Sequence, residues 1–201
     1  MIKLYHSPRT RSVRIYWLLE ELGVPYELEV VTFKPPVASS KPFAQSSPFG
    51  KVPALRDGDL EMFESGAILE YVLERYGQGR LAPAPGTPLR GRFLQWVHFA
   101  EATAFPPIGN IAWHMFKQDA DTIPGAIADY RTWAVAGLDV LEQALSGKQY
   151  LLGSEFSGAD IMMGYTLSCA KWFGLLTDDR PNLTGYLARL ETRPAFQKAL
   201  G

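Results

Sequence analysis

The residues best suited by type and spacing to chemistry lie around a Val-Pro pair and a Glu-Ser pair. Pro53 interrupts an apolar stretch, 52–56, that otherwise has the composition of a short strand. Because proline has no N–H, it fits there only at a sheet edge or after a cis peptide bond. Either arrangement leaves the N–H and C=O of Val52 open, so that an extended peptide can add to the edge as another strand.

The Glu64-Ser65 pair opens a helix a short way along the chain. The first N–H groups of a helix, here those of Ser65 and Gly66, have no partner within it, and together with the helix dipole they attract a carboxylate. Together, the two pairs predict a site for a peptide-like ligand that carries a carboxylate at one end.

The first part of the chain contains the elements that must position these residues. The predicted elements are a strand over 1–6, a helix over about 11–22, a strand over 26–32, strands over 52–56 and 60–63, and a helix over 65–76. Gly23 has the position of a helix C′ residue, and Asp57-Gly58 is a strong hairpin signal. The order predicts a βαβ unit with parallel strands followed by a ββα unit, with residues 33–50 irregular.

The second part of the chain has helical patterns and no strand signal. We predict a long helix over 89–117 with a possible kink at Pro106-Pro107, a helix over 124–145, a capping box from Ser157 to Asp160, and a short final helix after Thr192. The stretch 77–88 is rich in glycine and proline, which is typical of a linker. The predicted organisation is an α+β fold with a domain at 1–78, a linker at 79–87 and an all-helical domain at 88–201.

The full string around the two pairs resembles the glutathione-binding segment of cytosolic glutathione transferases of bacterial and fungal type. The capping box and the C-terminal Arg-Pro-Ala-Phe-Gln-Lys-Ala-Leu resemble the second domain of the same family, so the resemblance covers essentially the whole chain. It implies a thioredoxin-like first domain, a helical-bundle second domain and glutathione as co-substrate. The residues that it assigns to glutathione binding are Arg11, Lys34, Lys51, Val52, Pro53, Glu64 and Ser65.

The start of the first helix is the predicted catalytic region. A free thiol is mostly protonated at neutral pH, and hydrogen-bond donors and positive charge lower its pKa. Hydroxyls at Thr10, Ser12 and Ser7, with the charge of Arg11 and the helix N-terminus, can supply both. Thr10 falls where relatives often carry serine, which makes it the candidate thiolate partner, although Thr10 and Ser12 also fit plain helix-capping roles.

An electrophile site is expected between the two domains. The resemblance assigns its lining to Tyr5, Phe105, Ile108, Trp113, Phe116 and Trp172. Aromatic side chains at helical spacing also occur in ordinary cores, so a packing role is the alternative for each.

Composition excludes several other classes of function. A net charge of −1 without a dense Lys/Arg run argues against nucleic-acid binding. No signal-peptide core or long apolar run is present, so we expect a cytoplasmic protein away from the membrane. A single cysteine, Cys169, excludes a disulfide framework and a thiolate zinc site, and we expect no metal.

Three functions stay open on the sequence. The first is a transferase that adds glutathione to an apolar electrophilic small molecule, in a detoxifying homodimer as the resemblance implies. The second is a glutathione-dependent disulfide or peroxide reductase, which would use glutathione's own sulfur because no cysteine lies in the first 168 residues. The third is an interaction module that keeps the fold without catalysis.

Overall fold

The computed structural model describes residues 1–34, 37–38, 46–116 and 123–201. These divide into two compact units, Met1–Ala82 with Thr192–Gly201, and Pro83–Glu191. The helices and strands before residue 82 are β1 (Ile2–His6), α1 (Ser12–Leu22), β2 (Tyr26–Val30), β3 (Phe33–Lys34), β4 (Val37–Ala38), β5 (Ala54–Asp57), β6 (Leu60–Phe63) and α2 (Ser65–Tyr76). They are followed by α3 (Pro88–His98), a π-helical segment (Phe99–Ala104), α4 (Phe105–Phe116), α5 (Pro124–Ala144), α6 (Gly158–Trp172), α7 (Pro181–Glu191) and α8 (Pro194–Leu200).

The first unit contains a four-stranded sheet in the order β2-β1-β5-β6. β1 and β2 are parallel, with Ile2 opposite Tyr26, and both pairs that involve β5 are antiparallel. This confirms the predicted βαβ unit and the hairpin, whose turn contains Gly58 at φ 62°. In the region expected to be irregular, β3 and β4 form a short antiparallel pair, while 35–36 and 39–45 lie outside the described residues.

The Val52–Pro53 peptide bond is cis. The strand predicted over 52–56 therefore begins later, at Ala54, since proline has no N–H for the ladder and the pairing with β1 starts with Ala54 opposite Tyr5. Val52 and Pro53 lie just before the strand, at the end of the sheet where α1 also begins.

The last helix packs on the first. The rings of Trp17 in α1 and Phe196 in α8 meet edge to face with centroids 4.8 Å apart, and the Arg193 guanidinium forms two hydrogen bonds to the Glu21 carboxylate. We predicted that the second domain extends over 88–201. In the structure α8 belongs to the first unit, because its apolar face and its cations match α1.

The predicted long helix of the second unit is interrupted by the π-helical segment, directly before Pro106 and Pro107. Neither proline has an N–H to donate to a carbonyl one turn earlier, so regular α-helical bonding cannot continue through this point. The hydroxyl of Thr166 in α6 donates to the carbonyl of Ala100 at 3.2 Å and satisfies one acceptor of the segment. No helix in the described part of the chain is both long and apolar enough to cross a bilayer.

The capping box at the start of α6 is confirmed. The Asp160 carboxylate accepts from the N–H and hydroxyl of Ser157, each at 2.8 Å, from the N–H of Leu151 at 2.9 Å and from the hydroxyl of Tyr186 at 2.7 Å. Burial raises the pKa of Asp160, and these four donors oppose that rise. The carboxylate therefore ties the start of α6 to the preceding loop and to α7.

Candidate functional site

A recess in the first unit brings together most of the residues predicted to bind glutathione. It holds about 390 Å³, including space open to solvent. The predicted residues that line it are Arg11, Lys51, Val52, Pro53 and Glu64. Sequence reasoning missed three further lining residues, which are Ser47, Phe49 and Phe63.

Val52 is one of the residues that line this recess. Its side chain is buried with Tyr5, Val31 and Ala54, which fixes the backbone in place. Among the described residues, no hydrogen bond is found to the N–H or C=O of Val52. The chain thus offers one donor and one acceptor directly before Pro53, as the Val-Pro pair predicted.

Two cations lie together at the recess. Burial, and then the charge of nearby Arg11, lower the pKa of Lys51. The Lys51 main chain is held by Ser47, whose hydroxyl donates to the Lys51 carbonyl at 2.7 Å and accepts from the Lys51 N–H at 3.0 Å. Because an anion between the cations would reduce their repulsion and compensate for lost hydration, the pair favours a carboxylate at this position.

Glu64 and Ser65 occupy the start of α2. Glu64 is exposed and has a φ of 75°, a left-handed conformation that non-glycine residues rarely adopt. Ser65 is buried, and its hydroxyl accepts a hydrogen bond of 3.0 Å from the Arg14 guanidinium. Arg14 is also fully buried and was missed, although a charged residue within the apolar pattern of the first helix is a visible signal.

Two of the predicted catalytic hydroxyls, those of Thr10 and Ser12, form a connected group with the His6 ring and the main chain of Ser7 at the start of α1. We call this group the hydroxyl cluster: His6, Ser7, Thr10 and Ser12. The Thr10 hydroxyl donates to the Ser7 carbonyl at 2.7 Å and lies 2.8 Å from the Ser12 hydroxyl. Ser12 Oγ lies 2.8 Å from His6 Nδ1 and accepts from the Ser7 N–H at 3.1 Å. Ser7 and Ser12 are buried and Thr10 is partly exposed, so Thr10 is the hydroxyl that a ligand can reach.

His6 is the member of the cluster that sequence reasoning missed. It lies at the end of β1 with 4% of its surface exposed, and its ring meets the Tyr16 ring edge to face at 5.3 Å. Burial lowers the pKa of His6 to about 4, so the imidazole is neutral at physiological pH. The capping alternative for Thr10 has limited support, since Arg11 is the N-cap residue and the Ser12 N–H reaches Thr10 Oγ1 only at 3.4 Å.

The residues assigned to the electrophile site differ widely in exposure. Tyr5 in the first unit and Ile108 in the second are almost fully buried, which favours packing roles for both. The Phe105 ring packs on Tyr165 with centroids 5.8 Å apart. Trp113 and Trp172 are exposed. The side chains of Phe116 and Lys34 lie outside the described residues, so the electrophile site and the role of Lys34 stay predictions.

Comparisons with known proteins give the family. Residues 1–74 match the family described as glutathione S-transferase, N-terminal domain, and residues 124–189 match glutathione S-transferase, C-terminal domain. A glutathione S-transferase-like protein, OpS6, of Beauveria bassiana is 33% identical over 205 residues, which cover 98% of this chain and 93% of that protein. The disulfide-bond oxidoreductase YfcG of Escherichia coli is 32% identical over 214 residues, covering 100% of this chain and 94% of that protein.

Among solved structures, the glutathione transferase URE2P6 from Phanerochaete chrysosporium, in complex with oxidized glutathione, superposes with a TM-score of 0.87. It is 28% identical, and the match covers 98% of this chain and 94% of that one. The chain belongs to the glutathione S-transferase family. The expected fold class, an N-terminal thioredoxin-like α/β domain and a helical C-terminal domain, is confirmed.

Proposed function

We propose that this protein is a glutathione transferase that binds glutathione in the recess and adds its sulfur to an electrophilic small molecule. The proposal rests on one observation: Val52, whose N–H and C=O have no hydrogen bond among the described residues, lines the same recess as two cations, Arg11 and Lys51. An extended peptide with a terminal carboxylate complements both features.

Each part of glutathione has a chemical complement in this region. The cysteinyl backbone pairs with the N–H and C=O of Val52 as a short added strand. The glycine carboxylate lies near Lys51 and Arg11. The γ-glutamyl end lies at the start of α2, where the Glu64 carboxylate accepts from its ammonium group and the Ser65 N–H donates to its carboxylate.

The thiolate is stabilised by Thr10 in this proposal. On binding, its one hydroxyl proton turns from the Ser7 carbonyl, its acceptor in the free protein, to the sulfur and, with the N-terminus of α1, lowers the thiol pKa. The sulfur lone pair forms the new carbon–sulfur bond, and the leaving group departs with its bonding electrons or, in an addition, the product takes up a proton. The exposed rings of Trp113 and Trp172 are proposed contacts for an apolar electrophile.

A disulfide reductase is the second candidate, and a specific observation favours it. A relative that matches the whole chain is named a disulfide-bond oxidoreductase, and a structural neighbour holds oxidized glutathione. The single cysteine, Cys169, is buried in α6, so glutathione supplies both sulfurs. One glutathione thiolate attacks the disulfide and releases one thiolate, and a second glutathione then resolves the mixed disulfide to give oxidized glutathione and the other thiolate.

Calorimetric titration with glutathione, followed by two parallel assays, tests these proposals. A chloronitrobenzene probes conjugation and hydroxyethyl disulfide probes reduction, with Cys169→Ala as a control that should change neither rate. Binding with turnover in one assay identifies the reaction. Binding without turnover in either assay supports the non-catalytic module, and no binding at millimolar glutathione overturns both catalytic proposals.

We also propose a cytoplasmic homodimer with a role in detoxification, as the family resemblance implies. Light scattering after size-exclusion chromatography tests the dimer. A mass of one chain over the working concentration range would refute it.

A further inference from the structure

The hydroxyl cluster contains a buried histidine to which the proposed chemistry assigns no role. His6 Nδ1 lies 2.8 Å from Ser12 Oγ, which lies 2.8 Å from Thr10 Oγ1. The three groups form a series of hydrogen-bonded atoms that runs from the buried imidazole to the partly exposed hydroxyl of Thr10. A buried polar ring is costly where an apolar residue would pack equally well against Tyr16, so the nitrogen calls for an explanation.

The tautomer of His6 determines which hydrogen bonds the Ser12 hydroxyl can donate and accept. Ser12 Oγ has one proton and two lone pairs, and the Ser7 N–H occupies one lone pair. His6 is neutral at pH 7, since burial lowers its pKa to about 4, and it therefore carries one ring proton, on Nδ1 or on Nε2. Toward His6, the Ser12 hydroxyl is the donor in one tautomer and the acceptor in the other.

With the proton on Nε2, Nδ1 accepts the Ser12 proton, and the remaining lone pair of Ser12 attracts the Thr10 proton inward. With the proton on Nδ1, the imidazole fills that lone pair. Ser12 must then donate, to Thr10 Oγ1 at 2.8 Å or to the Ser7 carbonyl at 3.1 Å. Thr10 can no longer donate to Ser12, and its proton is left for the Ser7 carbonyl or for a ligand.

We propose that His6 in its Nδ1–H tautomer is a positioning residue that sets the direction of the Ser12–Thr10 hydrogen bonds, so that the Thr10 hydroxyl donates outward to a bound thiolate. The inference rests on the proposed glutathione binding. His6 acts through Ser12 and touches no substrate. Each bond in the series polarises the next, so the buried imidazole strengthens the outermost donor.

The test compares the pKa of the bound glutathione thiol in wild type and variants, from the ultraviolet absorbance of the thiolate against pH. His6→Phe keeps a ring against Tyr16 and removes both nitrogens. His6→Asn places an amide N–H near the position of Nδ1. We expect His6→Phe to raise the bound thiol pKa by about half to one unit, a three- to tenfold loss of thiolate at a pH below that pKa, and His6→Asn to restore part of it.

Two controls separate positioning from plain packing. The affinity for S-methylglutathione, which has no ionisable thiol, should be the same in wild type and His6→Phe. On a Thr10→Val background, His6→Phe should leave the thiol pKa unchanged, because the outer donor is already gone. A structural role for His6 would instead weaken binding of both ligands.

Nitrogen-15 NMR of the imidazoles in the free protein reads the tautomer directly, with the His6→Asn spectrum assigning the signal among three histidines. An Nε2–H tautomer, or a depressed thiol pKa that does not respond to His6→Phe and His6→Asn, overturns the inference and leaves the proposed function standing. A wild-type protein that does not bind glutathione overturns the proposed function, and this inference with it.

Discussion

The hydroxyl cluster and the recess lie beside each other in the first unit and differ in charge, because the cluster consists of hydroxyls, a neutral imidazole and main-chain groups, whereas two cations, Arg11 and Lys51, line the recess. In the cluster, Ser12 Oγ lies within 2.8 to 3.1 Å of four polar atoms: the N–H and the carbonyl of Ser7, the Thr10 hydroxyl and His6 Nδ1. In the recess, burial and the charge of Arg11 lower the pKa of Lys51. The cluster is thus a hydrogen-bonded network within the protein, whereas in our proposal the two cations of the recess bind the carboxylate of a ligand.

This difference suggests a division of labour. A hydroxyl whose oxygen is already held in position has only to turn its proton to lower a thiol pKa, which is an efficient form of electrostatic catalysis. A pair of cations that repel each other gains most from an added anion, which is the efficient form of anchoring. Substitutions in the cluster should therefore alter thiol ionisation and rate, and substitutions in the recess should alter affinity.

The largest effect is expected from Thr10→Val, which keeps the shape of the side chain and removes its hydroxyl. A hydrogen bond to a charged group contributes about 1.5–3 kcal/mol, so kcat/KM should fall by roughly 10- to 100-fold and the bound thiol pKa should rise. Thr10→Ser is the matched control and should retain most of the activity. Equal activity of Thr10→Val and wild type would remove Thr10 from the mechanism.

Ser12→Ala should reduce stability as well as thiol ionisation. It removes the acceptor of the Ser7 N–H and the partner of His6 Nδ1, both buried, at a cost of about 1–3 kcal/mol. Urea unfolding with an unchanged m value measures this loss. The exposed Ser154→Ala is the control and should stay within about 0.5 kcal/mol of wild type. A Ser12→Ala protein as stable as wild type would show that the cluster is not tightly organised.

Lys51→Met should weaken glutathione binding by roughly tenfold, since one partner of a charge-assisted contact is lost. The thiol pKa of the glutathione that still binds should change little, in contrast with the Thr10 variant. Calorimetry at two salt concentrations checks both points, because the wild-type affinity should depend more strongly on salt than that of the variant. The exposed Lys148→Met should match wild type. A large rise in thiol pKa in Lys51→Met would contradict the division of labour.

The last prediction concerns the pH dependence of stability. The pKa of His6 is lowered to about 4 in the folded protein from an ordinary value of 6.5, so the unfolded chain binds a proton first as the pH falls. The contribution of His6 to the free energy of unfolding is fully present above pH 6.5 and is lost progressively between pH 6.5 and 4. The free energy of unfolding of His6→Asn should accordingly fall less than that of wild type between pH 7 and 5. If the free energy of unfolding of the two proteins fell equally with pH, the pKa of His6 would be the same in the folded and unfolded states.

Local patterns in the sequence predicted the parts of the fold that depend on neighbouring residues. The Asp57-Gly58 hairpin, the αL residue Gly23 and the Ser157–Asp160 capping box are each specified within a few residues. For Pro53 the local pattern left a sheet edge and a cis bond open, and the structure has the cis bond. The same is true of the recess, because most of its lining comes from one contiguous stretch and one helix start.

Contacts between distant parts of the chain were not predicted. Arg14 meets Ser65 across 51 positions, and Arg193 meets Glu21 across 172. No spacing rule connects such residues, because their proximity depends on how whole elements pack. His6 was missed for a related reason: its partner Ser12 is near in sequence, but only the turn between β1 and α1 brings the two side chains together.

The packing of α8 on α1 has a consequence for how the protein is made. During synthesis the ribosome completes the entire second unit before it adds the residues of α8, which belong to the first. Until then the face of α1 around Trp17 lacks its cover, and the carboxylates of Glu20 and Glu21 lack the cations of Lys198 and Arg193. The helix that carries the hydroxyl cluster at its start therefore cannot complete its native packing before α8 has been synthesised, and a nascent chain that stalls within the second unit would hold an incomplete first unit.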